Sequence, residues 1–134
     1  MSLFKINFTQ IGTKDKFRPY IEFIIKNTET DKKINAMALI DTGADECALP
    51  GFYATILGHN LENGFKKDVK VAGGNTVAFR HTNKLIIPKI NFIKNMIIDF
   101  IPNLHIPIIG VNLIENFNVF LYYPKKYFII DDLK

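Results

Sequence analysis

The sequence predicts a mostly-β, single-domain protein with one short helix in its C-terminal half. Three observations predict it. Ile and Phe are abundant and Trp is absent, and β-branched and aromatic side chains suit a pleated, half-buried surface. Short stretches alternate apolar and polar residues, the period of a strand with one buried face. Gly and Pro stand as punctuation between these stretches and never cluster into a linker. A chain of 134 residues, 48% of them apolar, is long enough for one core, so residues 1–134 are expected to form a single domain.

The elements follow in order. Residues 3–11 (LFKINFTQI) alternate and predict a first strand. "RPYIEFIIKN" (18–27) predicts a second, and "TETD" (28–31) a polar turn into a third, "KKINAMALID" (32–41), so that this hairpin ends on Asp41. "PGFYATILG" (50–58) predicts a helical turn opened by Pro50 and stopped by Gly58. "DVKVAGGNTVAFR" (68–80) predicts a hairpin whose tip glycines supply the positive φ angles a tight turn needs. "NKLIIPKI" and "NFIKNMIIDFI" continue as strands, and "HIPIIG" (105–110) is a short strand of buried type. "VNLIENF" (111–117) is the one clear helix, with Leu113, Ile114 and Phe117 on one face. "NVFLYYPKKYFII" (118–130) closes the chain as a hairpin around Pro124, Lys125 and Lys126.

Composition narrows the chemistry. A net charge of +4 is a mild bias, and the groups Lys14/Lys16/Arg18, Lys66/Lys67/Lys70 and Lys125/Lys126 read as solvated turns. A nucleic-acid surface needs aromatics interleaved with Lys on one strand face. Only Tyr122, Tyr123, Tyr127 and Phe128 near Lys125 and Lys126 approach that, and core packing accounts for them better. No nucleic-acid partner is expected. The apolar stretch 96–114 is interrupted by Asp99, Pro102, Asn103, His105 and Pro107, which excludes a spanning helix. One cysteine, Cys47, permits no disulfide within the chain, and no signal-peptide pattern opens it. The expectation is a cytoplasmic protein with no membrane partner.

Elimination then points to carboxylates. The only serine is Ser2, near the N-terminus. Cys47 has no local feature that would lower its pKa, and reads as a small apolar core residue. His59, His81 and His105 stand at no metal-ligand spacing, and no phosphate-binding Gly loop occurs. No metal or cofactor is expected. What remains is "ALIDTGADECALP" (38–50), where Asp41 closes an apolar strand and is followed at once by Thr42 and Gly43. A carboxylate placed there is costly unless something holds it.

Three stretches in fixed order now carry a resemblance. "ALIDTGADECALP" is similar to the active-site loop of the retropepsins, the retroviral-type aspartic proteases. "VAGGNT" (71–76) resembles their flap tip, and "PIIGVNLI" (107–114) resembles the segment beneath the active-site loop that enters the family helix. The match spans about residues 18–130. It implies a barrel of the acid-protease type acting as a C2 homodimer. By this resemblance Asp41 is the catalytic carboxylate, Thr42 bonds across the two-fold axis, and Gly43 offers its backbone to substrate. Ala44 and Asp45 line the peptide groove, Gly73 and Gly74 lie near the flap tip, Ile108 and Ile109 form apolar subsite wall, and Gly110 permits close packing under the loop.

The chain departs from many retroviral members where Val111 stands in place of an arginine that pairs with the carboxylate matching Asp45. Its longer C-terminal hairpin resembles cellular and bacterial relatives, which implies a differently built dimer edge. The chain holds one Asp-Thr-Gly, so a pair of catalytic carboxylates requires two chains. The function implied is an aspartic endopeptidase acting on a peptide or protein substrate. The alternative is a dimerisation or peptide-binding module of the same fold with weak or no catalysis.

Overall fold

A computed structural model of the chain describes residues 2–71 and 73–132. Ala72, inside the Val-Ala-Gly-Gly-Asn-Thr stretch, lies outside them, as do Met1, Leu133 and Lys134. Ten strands are present among the described residues: β1 Leu3–Asn7, β2 Tyr20–Lys26, β3 Lys33–Ile40, β4 Ala48–Pro50, β5 Phe65–Val71, β6 Gly74–Ile87, β7 Phe92–Ile101, β8 Ile108–Ile109, β9 Asn118–Tyr122 and β10 Tyr127–Asp131. Two short helices, α1 Phe52–Ile56 and α2 Val111–Ile114, join them.

The fold is mostly β, as the alternation predicts, with three differences. The helical turn expected at 50–58 forms as α1, so the expectation of one short helix, in the C-terminal half, gives way to two. The strand expected at 83–90 is, as far as Ile87, the far end of β6, which runs on without a break from the hairpin at 68–80, while Pro88–Ile90 form a 3-10 turn. The strand expected over 105–110 shrinks to two residues, because β8 is wedged between β3, which it meets in parallel, and β4.

Seven strands form one sheet in the order β2-β3-β8-β4-β7-β6-β5, and β2 also pairs with β6 through Ile24↔Ile86 and Lys26↔Lys84. That last pairing closes the sheet into a barrel and leaves β5 as its free edge, hairpinned onto β6. Alternation then selects the interior. Ile21, Phe23 and Ile25 of β2 turn inward while Glu22 faces out, and Phe23 packs with Phe100 and Phe128 as the largest fully buried side chains. Truncating such a phenylalanine to alanine costs roughly 3–5 kcal/mol.

The remaining strands form a second, antiparallel sheet, β1-β10-β9, in which β10 is covered on both edges by strands of its own chain. Phe128 and Ile130 of β10 drive its inner face into the barrel core. Among the described residues, no helix is long and apolar enough to cross a membrane.

Candidate active site

β3 and β8 run parallel, with Leu39 opposite Ile108 and Ile40 opposite Ile109. The ladder carries one residue past the strand end, where the Asp41 N–H donates to the Ile109 carbonyl at 3.0 Å. The chain then turns sharply. The Gly43 N–H donates to Asp41 Oδ1 at 2.9 Å, and the Ala44 N–H to the Asp41 carbonyl at 3.3 Å. The carboxylate is therefore half-buried and oriented by a backbone donor of its own loop.

Asp41 and Thr42 open onto a cavity of about 710 Å³. Lys16, Arg18 and Lys126 stand around it, with Leu39, Ile40 and Leu121 as apolar wall. Two of those cations come from the first basic group, which the sequence presents only as a solvated turn.

α2 supports the loop from below. The first N–H groups of a helix have no partner within it. Here the Val111 N–H donates to the Ala44 carbonyl at 2.8 Å and the Asn112 N–H to the Asp45 carbonyl at 3.0 Å. The Asn112 side chain accepts from the Cys47 N–H at 2.9 Å and donates to Glu46 Oε2 at 3.4 Å. Gly110 makes this contact possible, because a Cβ there would run into the carbonyl group of Glu46 and would lie 2.8 Å from the Ala44 oxygen.

The residues singled out in the sequence are thus partly gathered. Asp41 to Asp45 form one loop, with Thr42, Gly43 and Asp45 exposed. Among the described residues the Asp45 carboxylate makes no hydrogen bond or ion pair, and Val111 offers it none. Gly73 and Gly74 sit at the tip of the β5–β6 hairpin with φ of +90° and +144°, angles at which glycine is the natural occupant. Ile108 packs with Ala48, Ala78 and Ile101 under the hairpin, beside Val69. Ile109 points the other way, into the main core, since adjacent strand residues face opposite sides.

Four charged residues to which the sequence reading gave no role at the site meet at the loop: Glu46 within it, and Asp99, Arg80 and Lys67 beside it, the last read from the sequence only as part of a solvated turn. Asp99 of β7 is buried, with its side chain 4% exposed. It accepts from Arg80 Nε at 3.0 Å and pairs with Lys67 Nζ at 3.3 Å. A second Arg80 nitrogen lies 3.1 Å from Glu46 Oε1. The available signal was Asp99 itself, a charge inside the apolar run "MIIDFI", which burial tolerates only with a partner.

Cys47 is buried, and burial pushes its thiol up to about 11, so it stays protonated. His105 is exposed. His59 and His81 stack with ring centroids 4.5 Å apart and both meet the Phe100 ring edge-on. Their Nε2 atoms donate to Asn83 Oδ1 and to the Leu61 carbonyl, at 2.7 and 3.0 Å. Among the described residues no group of three or more His, Cys, Asp or Glu could hold a metal ion.

Burial lowers the pKa of His81 from its ordinary 6.5; the Leu61 carbonyl opposes this and the His59 ring adds to it. The unfolded chain then binds the proton first as pH falls, so stability is complete above about pH 6.5 and declines through the lowered folded value. His81→Gln, which keeps a donor for Leu61, is expected to flatten that acid limb of melting temperature against pH. Equal slopes for both proteins between pH 7 and 5 would contradict it.

The fold has counterparts among solved structures. A crystal structure of a retropepsin-like aspartic protease from Rickettsia conorii superposes with a TM-score of 0.68 at 26% identity, over 93% of this chain and 97% of that one. EIAV protease complexed with the inhibitor HBY-793 superposes with a TM-score of 0.52 at 20% identity, over 78% of this chain and 92% of that one. No protein-family model and no curated protein matches the sequence.

Proposed function

We propose that this chain, which has the fold of the retropepsin-like aspartic proteases, is an aspartic endopeptidase that works as a homodimer. The observation that carries the proposal is Asp41: a carboxylate at the end of β3, held by the Gly43 N–H and open to a cavity. The first solved structure named above is itself a retropepsin-like aspartic protease. One Asp-Thr-Gly per chain means that the second carboxylate comes from a second copy, by an interface that uses the same surface on both.

The chemistry follows from the pair. Two carboxylates a few ångströms apart cannot both ionise, so one proton is shared between them. The ionised group takes a proton from a water molecule, which attacks the scissile carbonyl. The protonated group polarises that carbonyl and then supplies a proton to the leaving nitrogen. Neither a covalent intermediate nor a metal is required. Thr42 ties the two loops together, Gly43 binds substrate backbone, and Ala44 and Asp45 edge the groove. Ile108 supplies apolar wall, while Ile109 packs beneath. The β5–β6 hairpin, tipped by Gly73 and Gly74, closes over the bound peptide.

Activity is expected to fall faster than linearly on dilution, because active sites disappear as dimers dissociate. The measurement is peptide cleavage against protein concentration, with sedimentation in parallel. A hydroxyl-bearing, uncleavable peptide analogue should hold the dimer together and slow amide exchange at residues 73–78. Strictly proportional cleavage by a sedimenting monomer would overturn the dimer mechanism. A dimer that binds the analogue and cleaves nothing would establish the binding module instead.

A further inference from the structure

We infer that Arg80 is a positioning residue for the Asp41 loop, clamping it to the base of the β5–β6 hairpin through Glu46. The inference rests on the reading of Asp41 as the catalytic carboxylate, and its geometry is independent of that reading.

The clamp is built from the inside outward. Asp99 is a buried charge in a central strand, and β6 places Arg80 directly opposite it in the ladder. Lys67 reaches the other Asp99 oxygen from β5, the outer strand of the hairpin. Asp99 thereby fixes Arg80 and ties its position to both hairpin strands. The guanidinium has donors to spare. While Nε serves Asp99, a terminal nitrogen reaches Glu46 Oε1 at 3.1 Å. The guanidinium spreads its donors over a planar fork that reaches two separate carboxylates at once, whereas an ammonium presents its three donors from a single point.

Glu46 lies five residues after Asp41, in the same loop. Its other oxygen accepts from Asn112 of α2 at 3.4 Å. The loop is therefore gripped from two sides, by α2 below and by Arg80 of the hairpin beside it. The Glu46–Arg80 pair is partly open to water, with side chains 30% and 25% exposed, and such pairs contribute little to overall stability. Its effect lies in where it holds the loop. Misplacing a reacting group by about 1 Å costs on the order of 100-fold in rate.

The variants are Glu46→Gln and Arg80→Lys, singly and together. Arg80→Lys keeps a cation for buried Asp99 and gives up the reach to Glu46, so it tests the clamp without stranding the buried charge. Hydrogen exchange is read at the loop amides of Gly43, Ala44 and Cys47, with Phe128 and Ile130 of β10 as reference. Each single variant is expected to speed loop exchange by about tenfold, leaving β10 unchanged. The double variant should add nothing further, since both changes break one link. In a cleaving enzyme kcat should fall by roughly 10- to 100-fold with a smaller change in KM.

Loop amides exchanging at the parent rate, or loop and β10 amides speeding up together, would overturn the clamp. Faster loop exchange in a parent that cleaves no peptide would support the clamp and remove the protease reading, so the two fail separately.

Discussion

Asp41→Asn is expected to lower kcat/KM by about 1,000-fold or more, which is about 4 kcal/mol of transition-state stabilisation. The substitution is close to isosteric. An asparagine Oδ1 still accepts from the Gly43 N–H, the bond at 2.9 Å that orients the side chain, so the loop keeps its shape. What is lost is basicity. A carboxamide cannot take the proton of the attacking water, and a homodimer carries the change on both sides of the site. The melting temperature should stay within a few degrees of the parent, which separates lost chemistry from lost fold. The measurement pairs kcat/KM on one peptide with thermal unfolding of both proteins. A variant that cleaves within tenfold of the parent would remove Asp41 from the mechanism.

Gly110→Ala should produce the largest loss of stability of any single methyl added near the site. Gly110 has extended backbone angles that any residue adopts, so the cost is contact and not strain. The new methyl would meet the carbonyl carbon and oxygen of Glu46 and would lie 2.8 Å from the Ala44 oxygen. These neighbours are backbone, and they belong to a loop held by the Val111 and Asn112 N–H groups. No rotamer change relieves the clash, so α2 and the loop must separate. Overpacking of this kind costs roughly 1–3 kcal/mol and more where the surroundings cannot yield, and here about 3 kcal/mol is expected, with cleavage reduced alongside. Urea unfolding with an unchanged slope and a lower midpoint would show it. A midpoint equal to that of the parent would mean the packing under the loop is looser than the geometry requires.

The contrast between these two positions shows what kind of information each level of description holds. Strands β2 and β3, the β5–β6 hairpin and the β9–β10 hairpin were legible because alternation and turn chemistry are local, written within a few consecutive residues. Asp41 was legible for the same reason, since a strand end, a carboxylate and a glycine lie side by side in sequence. The resemblance carried by Pro-Ile-Ile-Gly placed Gly110 beneath the loop, but it also assigned Ile108 and Ile109 a common role, whereas the two-residue period of β8 divides them between the Ala48, Ala78 and Ile101 cluster and the main core. The sequence by itself determined a mostly-β chain with a single Asp-Thr-Gly, so that two Asp-Thr-Gly carboxylates could meet only across two copies. Only the tertiary structure decided that β2 closes on β6, that β10 is flanked by strands of its own chain, and that Lys67, Arg80, Asp99 and Glu46 meet. Asp99 announced a need for a partner, yet that partner lies 19 residues away across a strand pairing. A buried charge states its requirement locally, whereas the ladder that meets the requirement exists only after distant segments have packed.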